Sequence, residues 1–468
     1  MELIPVGLIF ILIWLLTSTN GITSALTGIV ALMPFGMLAA VNLPAVGGLS
    51  LTVCNISVGL LVVWITAKNI RSREYFMSRV NLSVEDIALL FLAIYAVFSA
   101  TINVRIFQGD IDVFSLGRGV ERSGKGAIGM LNTLEPRASN ISQPFYFLLS
   151  VSFFYIVLSA IRNYGVRWVH HALILTASLH ILLSLLDFLS LDNLLSYIRT
   201  ANYALLTHHE VHGFSRIIGG FAEPSAFGTF SSVLLAYFAL HSFGSYSRIS
   251  VTLSLLLSLC VIISFSSSAY FGTFFILLFL AWVVLKFFFA GASIHLSVIN
   301  ISWFIGLFLA VFLIKNFALI EQVINTLIFD KASSNSGQER GLWSLYGFKT
   351  FVDTYGLGAG VGSILSNGWA GVYLGSVGIM GTIAATIFWY RVLVHSADKE
   401  LIPQYSHIYT ASKAAVFCAI SMKFATATTP NPGLLLMFFA AIIISCRFDR
   451  QVSEQDSIRL NNKQNVYF

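Results

Sequence analysis

The chain has 468 residues, of which 57% are apolar and 10% are charged, and its formal net charge is +6. A soluble globular domain carries about a quarter of charged residues, so this composition excludes a soluble enzyme, a disordered chain and a secreted disulfide scaffold. Apolar runs long enough to cross a bilayer recur from end to end. The sequence therefore predicts a polytopic membrane protein, and the basic excess indicates its topology rather than nucleic-acid binding.

The predicted elements are membrane helices, because lipid offers the backbone no hydrogen-bond partner and the runs show no alternating barrel pattern. We expect an all-α fold of about 12–14 transmembrane helices in one membrane-embedded domain, 1–468. In chain order the apolar runs are 3–17, 22–41, 48–66, 84–103, 144–161, 167–187, 222–243, 249–265, 270–288, 296–314, 371–393, 406–423 and 433–446.

The loops between these runs differ in length and charge. The segments 67–83 and 162–167 and the tail 447–468 are short and basic, which predicts a cytoplasmic location. Three longer segments, 104–143, 188–221 and 315–370, then lie outside. They are rich in Arg, His, Glu, Asn and aromatic residues, so any chemistry is expected on the outer face.

The most informative motif leads from the segment 188–221 into the next apolar run. Pro224 suits the first position of a helix, which puts Glu223 at the N-cap. Asn, Asp, Ser and Thr are the preferred caps, so a Glu there suggests a functional role, that of a general base. Arg216 comes seven residues earlier, and Gly219 and Gly220 allow its side chain to face the same cavity. The alternatives are a structural ion pair between Glu223 and Arg216, and an Arg that only reaches the membrane interface.

Other residues near this motif are candidate substrate ligands, namely His212 and Ser225. The spacing of His208, His209 and His212 approaches that of a metal site, but no further ligand type stands out. We therefore predict no metal.

A serine-rich turn, 264–270, joins two apolar runs and ends at Tyr270, another candidate substrate ligand. Its hydroxyls could line the cavity or, as is more common, bond to their own backbone. Further on, Glu339 and Arg340 precede an amphipathic run, 342–352, which is typical of a helix along the membrane surface. Glu339 is another candidate substrate ligand. Arg340 is expected to face the same cavity as Arg216; the alternative is a solvated arginine beside Glu339.

A glycine-rich stretch, 356–362, precedes the candidate ligand Asn367. It is no dinucleotide fingerprint, because no βαβ unit surrounds it. It indicates either tight turns at the outer boundary or a flexible loop.

Taken together, the pattern Arg216-x-x-Gly219-x-x-x-Glu223-Pro224-Ser225 resembles the bacterial O-antigen and exopolysaccharide polymerases of the Wzy type, which are related to the O-antigen ligases. The order of the later features is also similar: a serine-rich turn, an outer-loop Arg340 and a glycine stretch. The chain departs from the family pattern at the serine turn, where an Arg or Thr is expected and Ala269 and Tyr270 stand.

The resemblance implies a GT-C-like, metal-independent glycosyltransferase without a cofactor, at the periplasmic face of the bacterial inner membrane. Its donor and acceptor would be oligosaccharide repeat units on undecaprenyl pyrophosphate, and a flippase and a chain-length regulator would be its partners. Arg216 and Arg340 would bind the pyrophosphate, and Glu223 would deprotonate the acceptor hydroxyl. One base and a good leaving group favour inversion; Glu339 and Glu210 leave retention open as an alternative.

Two other functions compete with the polymerase. An O-antigen ligase would use the same donor and transfer the finished chain to lipid A core. A membrane transporter would need charges deep in the spans, and Asp187 and Lys423 are the few candidates, both near span ends.

Overall fold

The computed structural model describes residues 1–43, 49–72, 83–114, 131–202, 210–211, 214–245, 247–289, 335–395 and 403–446. These residues are mostly helical, with the bounds α1 (Pro5–Ser18), α2 (Ile22–Leu32), α3 (Val53–Ser72), α4 (Val84–Phe98), α5 (Val104–Ile106), α6 (Ser139–Tyr164), α7 (Arg167–Phe188), α8 (Asp192–Ser196), α9 (Pro224–Ser245), α10 (Arg248–Ile263), α11 (Ser267–Phe289), α12 (Asn335–Asp353), α13 (Trp369–Val394), α14 (Pro403–Thr426) and α15 (Leu434–Ser445). A π-helical turn, Ser99–Asn103, joins α4 to α5.

Short strands accompany the helices. Their bounds are β1 (Glu2–Leu3), β2 (Ala39–Leu43), β3 (Leu49–Thr52), β4 (Asp112–Phe114), β5 (Leu131–Thr133), β6 (Glu210–Val211) and β7 (Phe214–Ser215). All pairings among them are antiparallel: β1, β2 and β3 form one sheet, and β4–β5 and β6–β7 form two hairpins.

Within the described residues, six helical segments are long and apolar enough to cross a membrane. They are Val53–Ile70, Val84–Ile106, Ser139–Tyr164, Arg167–Phe188, Pro224–Ser245 and Trp369–Val394. Shorter apolar helices are Pro5–Ser18, Ile22–Leu32, Arg248–Ile263, Ser267–Val283 and Leu434–Ser445. The chain is thus a mostly helical, multi-pass membrane protein. The predicted span at 296–314 and the tail 447–468 lie outside the described residues.

Two predicted spans are wrong as continuous helices. In the run 22–41, α2 ends at Leu32, just before Pro34, which has no N–H to donate. In the run 48–66, β3 precedes α3, which begins at Val53. The strands β2 and β3 pair across this break with Ala39 opposite Thr52, so their backbone groups bond to each other instead of within a helix.

One cluster of buried apolar residues extends through the helices from Ile11 to Cys446. Helix α9 lies centrally in it, packed on α10, α11 and α14, with Phe227, Tyr237 and Phe238 fully buried. Large apolar side chains instead cover the outside of the bundle; Ile94, for example, is 71% exposed. An outward apolar surface is what lipid-facing helices require.

The long segments predicted to lie outside meet at one end of the bundle. We call this the loop end: α6, α9 and α11 begin there and α7 ends there. The Asn140 side chain donates to the Val361 carbonyl oxygen, and Phe114 packs edge-on against Tyr346. The strand β2 is joined to the 189–202 segment at Thr200, whose hydroxyl accepts from the Ala39 amide at 3.1 Å. The described residues of 104–143 thus contact those of 315–370, and the 189–202 segment contacts the chain around β2.

Candidate functional site

The start of α9 has the geometry that the sequence predicts. The Glu223 carbonyl oxygen accepts the first helical hydrogen bond, from the Phe227 amide at 3.2 Å, so Glu223 is the N-cap residue. The Ser225 hydroxyl donates to Glu223 Oε1. Ser225 therefore fixes the direction of the carboxylate.

Arg216 approaches the same place from the preceding loop. Gly219, in the left-handed region at φ +53°, turns the backbone between Arg216 and Glu223. The Arg216 guanidinium reaches the serine turn, and its Nε lies 3.5 Å from the Ser264 carbonyl oxygen. This is the only hydrogen bond that Arg216 makes to a described residue.

The electrostatics of Arg216 link four predicted site residues. Burial lowers the pKa of the guanidinium, the charges of Glu223 and Tyr270 raise it, and the charge of Arg340 lowers it. Each of these groups is thus close enough to act on Arg216 although they come from three separate parts of the chain. We call Arg216, Glu223, Tyr270 and Arg340 the Arg216 cluster.

The Arg216 cluster is not held by direct ion pairs. Where the structure describes both partners, the ion pairs within 4.0 Å are Arg137–Glu135, Arg199–Asp187, Arg199–Asp192 and Arg391–Glu85. A contact ion pair between Glu223 and Arg216, the structural alternative, is therefore absent among the described residues. The cluster brings two cations and a carboxylate together without neutralising them pairwise.

The serine turn lies directly on the first turns of α9. A Cβ added to Gly228 would lie 2.7 Å from Ala269 Cβ and 2.9 Å from Ser264 Oγ, so the glycine permits this contact. The same crowding requires a small residue at 269, and alanine stands there. The Ser264 hydroxyl donates to the Val261 carbonyl oxygen at 2.7 Å, as hydroxyls at span ends commonly do.

Tyr270 and Arg340 flank Arg216 from two further helices. Tyr270 lies in the first turn of α11, and its hydroxyl donates to the Ile262 carbonyl oxygen at 2.9 Å. Arg340 and Glu339 are half-buried near the start of α12. No ion pair joins these two side chains in the described part of the chain.

Helix α12 is amphipathic in the sense expected beside lipid. Its exposed surface includes four large apolar residues, and these are Leu342, Leu345, Phe348 and Val352. Its buried face is small or polar: Thr350 is buried, and a Cβ on Gly347 would lie 2.7 Å from the Gly371 carbonyl oxygen. An apolar outer face on a helix at the loop end agrees with the predicted location along the membrane surface.

The glycine stretch, 356–362, packs against a break in α13 and is hydrogen-bonded to it. The Ile379 amide donates to the Gly356 carbonyl oxygen at 2.9 Å, and the Ala359 amide to the Gly375 carbonyl oxygen at 2.8 Å. Helix α13 breaks at Gly378, whose φ is +59°, and the stretch pairs with the broken turn. Because these hydrogen bonds join the stretch to α13, it forms tight turns and not a flexible loop.

The remaining predicted ligands lie apart from the Arg216 cluster or beyond the described residues. Asn367 Nδ2 donates to the Ala425 carbonyl oxygen at 3.0 Å, and the Asn367 backbone carbonyl oxygen accepts from the Ser344 hydroxyl. These bonds connect α12 to α14. Among the described residues, no hydrogen bond or ion pair joins Asn367 to the Arg216 cluster. His212 lies outside the described residues. Where side chains are described, no group of three or more His, Cys, Asp or Glu could hold a metal ion.

Two residues that sequence reasoning did not assign to the site support it. Asp187, in the last turn of α7, pairs with Arg199 at 2.6 Å and accepts from the backbone amides of Ile218 and Gly219. The available signal was an acidic residue at a helix C-terminus, where the helix dipole opposes negative charge and a partner is needed. From sequence alone, Asp187 is a candidate only for a transport charge.

Comparisons with family models, with curated proteins and with solved structures found no match to this chain. The Arg216 cluster is therefore the basis on which a function can be argued.

Proposed function

We propose that this protein is a metal-independent, inverting glycosyltransferase of the Wzy type with a GT-C-like architecture. It would polymerise undecaprenyl-pyrophosphate-linked oligosaccharide repeat units at the periplasmic face of the bacterial inner membrane. The observation that carries the proposal is the Arg216 cluster. The half-buried Arg216 reaches the Ser264 carbonyl oxygen, and Ser225 orients the Glu223 carboxylate. The charges of Glu223, Tyr270 and Arg340 all act on the pKa of Arg216.

The chemistry asks for fixed positive charge where the leaving group becomes negative. When the bond between the anomeric carbon and the pyrophosphate oxygen breaks, the electron pair leaves with the pyrophosphate. Guanidinium groups match phosphate oxygens with paired N–H donors. Burial is the main cause that lowers the pKa of Arg216, and repulsion by the Arg340 charge is a smaller one. An anion bound between the two arginines would remove this repulsion.

Glu223 supplies the other half of the reaction. Its carboxylate, oriented by Ser225, would take the proton from an acceptor sugar hydroxyl as that oxygen bonds to the anomeric carbon. One base and one departing pyrophosphate describe a single displacement, which inverts the anomeric configuration. Undecaprenyl pyrophosphate is released, and the chain is longer by one repeat unit.

The two competing functions draw less support. The ligase would use the same donor site and differs in its acceptor, and the Glu223-Pro224-Ser225 entry to α9 favours the polymerase over it. A transporter would need unmatched charge within the spans, whereas the Asp187 carboxylate is matched by Arg199. Lys423, the other candidate, donates to the Asn431 carbonyl oxygen at 3.4 Å.

A transfer assay tests the proposal. Purified protein in detergent receives a lipid-linked repeat unit without added metal, and the products are separated on a gel. A ladder spaced by one repeat unit is expected. A single transfer that requires lipid A core would indicate the ligase, and neither product from an intact cognate repeat would overturn the transferase proposal.

A further inference from the structure

The end of α7 and the loop that carries Arg216 are joined by one carboxylate. Asp187 Oδ2 accepts from the Ile218 amide at 2.7 Å and from the Gly219 amide at 2.9 Å. Its other oxygen, Oδ1, lies 2.6 Å from Arg199 Nη2. Arg199 in turn donates through Nε to the Gly219 carbonyl oxygen at 2.9 Å. Both partners are well buried, with side chains 10% and 5% exposed.

This arrangement grips the backbone of the loop from both sides. The carboxylate bonds to two successive N–H groups and the guanidinium bonds to the carbonyl oxygen of Gly219, which is the residue in the left-handed region. Arg216 is two residues before the first of these amides. Charged hydrogen bonds of this kind are about twice as strong as neutral ones, so the loop is held firmly at this point.

The bonds from Asp187 and Arg199 hold the backbone at Ile218 and Gly219, between Arg216 and Glu223. Between Ile218 and Glu223 the chain is packed on both sides of the turn: a Cβ on Gly220 would lie 2.3 Å from the Pro34 carbonyl oxygen, and a Cβ on Gly219 would lie 3.1 Å from the Phe227 ring. On the other side, the one hydrogen bond from the Arg216 side chain to a described residue is the 3.5 Å contact with the Ser264 carbonyl oxygen. The direction in which the Arg216 side chain leaves the backbone therefore depends on the anchored amides that follow it.

We infer that Asp187 is a positioning residue that, held by Arg199, sets the Arg216 guanidinium in place for a pyrophosphate ligand. This inference rests on the proposed function for the ligand, but the anchoring itself does not. A misplacement of about 1 Å in a binding group costs on the order of 10²-fold in rate. Loss of the Asp187 carboxylate is thus expected to lower transfer by about that factor.

The test combines a structural and a functional measurement on the full chain in detergent. In Asp187→Ala, hydrogen exchange at the Ile218 and Gly219 amides should accelerate, because both lose their acceptor. Transfer, and binding of undecaprenyl pyrophosphate, should fall on the order of 10²-fold. Asp187→Asn keeps one acceptor oxygen and should lose less.

A double-mutant cycle separates positioning from general damage. If Asp187 acts through Arg216, then adding Asp187→Ala to Arg216→Ala should cause little further loss. Losses that multiply would mean that Asp187 acts elsewhere, and they would overturn the inference. The swap D187R/R199D restores opposite charges but presents a donor to the two amides. It should stay defective, and recovery by the swap would show that the ion pair alone matters.

Glu85→Gln provides the matched control. It removes the acidic partner of another buried ion pair, with Arg391 at 3.1 Å, which does not involve the Ile218–Gly219 backbone. It should leave the exchange of those two amides unchanged. Slow exchange at the Ile218 and Gly219 amides of wild-type protein without any transfer would overturn the proposed polymerase alone. The inference about Asp187 would then be tested by undecaprenyl pyrophosphate binding. Unchanged exchange in Asp187→Ala, or unchanged binding despite faster exchange, would overturn it.

Discussion

Glu223 has the local environment of an oriented base. It ends the loop from Arg216, begins α9 and is bonded by Ser225. Glu223→Gln keeps the shape and the hydrogen-bond acceptor but cannot take a proton, so polymer formation should fall by about 10²-fold or more. Band intensities in the transfer assay measure this.

Glu135→Gln is the control for the loss of an acidic side chain at the loop end. Its carboxylate is 61% exposed and pairs only with Arg137 among the described residues. Surface pairs of this kind contribute about 1 kcal/mol or less, so activity should not change. A Glu223→Gln variant that makes polymer of normal yield would remove Glu223 from the mechanism.

Arg216 tests whether the fork shape of the guanidinium matters. Arg216→Lys keeps a positive charge but replaces paired donors with a single ammonium, so it should recover little of the activity lost in Arg216→Ala. Steady-state rates of both variants at several donor concentrations measure the difference. The same Arg→Lys exchange at Arg105, which donates to the Thr101 carbonyl oxygen on α4–α5, should be silent. Full activity of Arg216→Lys would mean that only charge is needed.

The members of the Arg216 cluster could be predicted from the sequence. The residues that hold the loop of Arg216 in place, Asp187 and Arg199, could not. Arg216, Glu223 and Arg340 are unusual residues at the edges of apolar runs, so their types and positions predict a shared cavity. Asp187 and Arg199 form their contact through an irregular segment whose path no periodicity reveals. That Asp187 bonds backbone amides depends on where the chain folds back, which only the structure shows.

At the scale of elements, apolar runs predicted α6, α7 and α9 to within a few residues, because each run has the length of a span. They failed at β2 and β3. A short buried apolar run such as Ala39–Leu43 has the same composition whether it is a strand or part of a helix, and only its pairing with Leu49–Thr52 decides.

The close packing of the glycine stretch against the break in α13 predicts that a side chain at Gly358 is destabilising. Gly358 has φ +80°, and a Cβ there would lie 2.5 Å from the Gly378 amide nitrogen. Gly358→Ala therefore combines backbone strain with a steric clash, and it should lower stability by about 2 kcal/mol or more. Thermal unfolding in detergent measures the effect.

Gly109 is a matched position for this comparison. It has φ +88°, but nothing lies within 4 Å of a Cβ built there. Gly109→Ala thus carries the backbone strain without the clash and should cost about 1 kcal/mol. If the two variants are equally destabilised, the close approach of the stretch to α13 contributes nothing.

At the scale of the whole molecule, the fold gathers the Arg216 cluster and the described parts of the three long polar segments at the loop end of the bundle. The opposite end of α6 meets α7 at a turn with the exposed Arg167. The sequence predicts that this turn is cytoplasmic and that the loop end is outside. The proposed substrate, on a periplasmic lipid carrier, needs that orientation.

Cysteine labelling in intact cells tests the orientation. The four native cysteines, Cys54, Cys260, Cys418 and Cys446, are all buried, so the wild-type background should react little. Helix α6 has 26 residues and is about 39 Å long at ~1.5 Å per residue, enough to cross a core of ~30 Å. Glu135 and Arg167 lie beyond its two ends and are both exposed. Glu135→Cys should react with an impermeant maleimide from outside, and Arg167→Cys only after the inner membrane is permeabilised. The reverse pattern would place the Arg216 cluster in the cytoplasm, where no periplasmic polymerisation can occur, and reaction of both from one side would mean that α6 does not span the membrane.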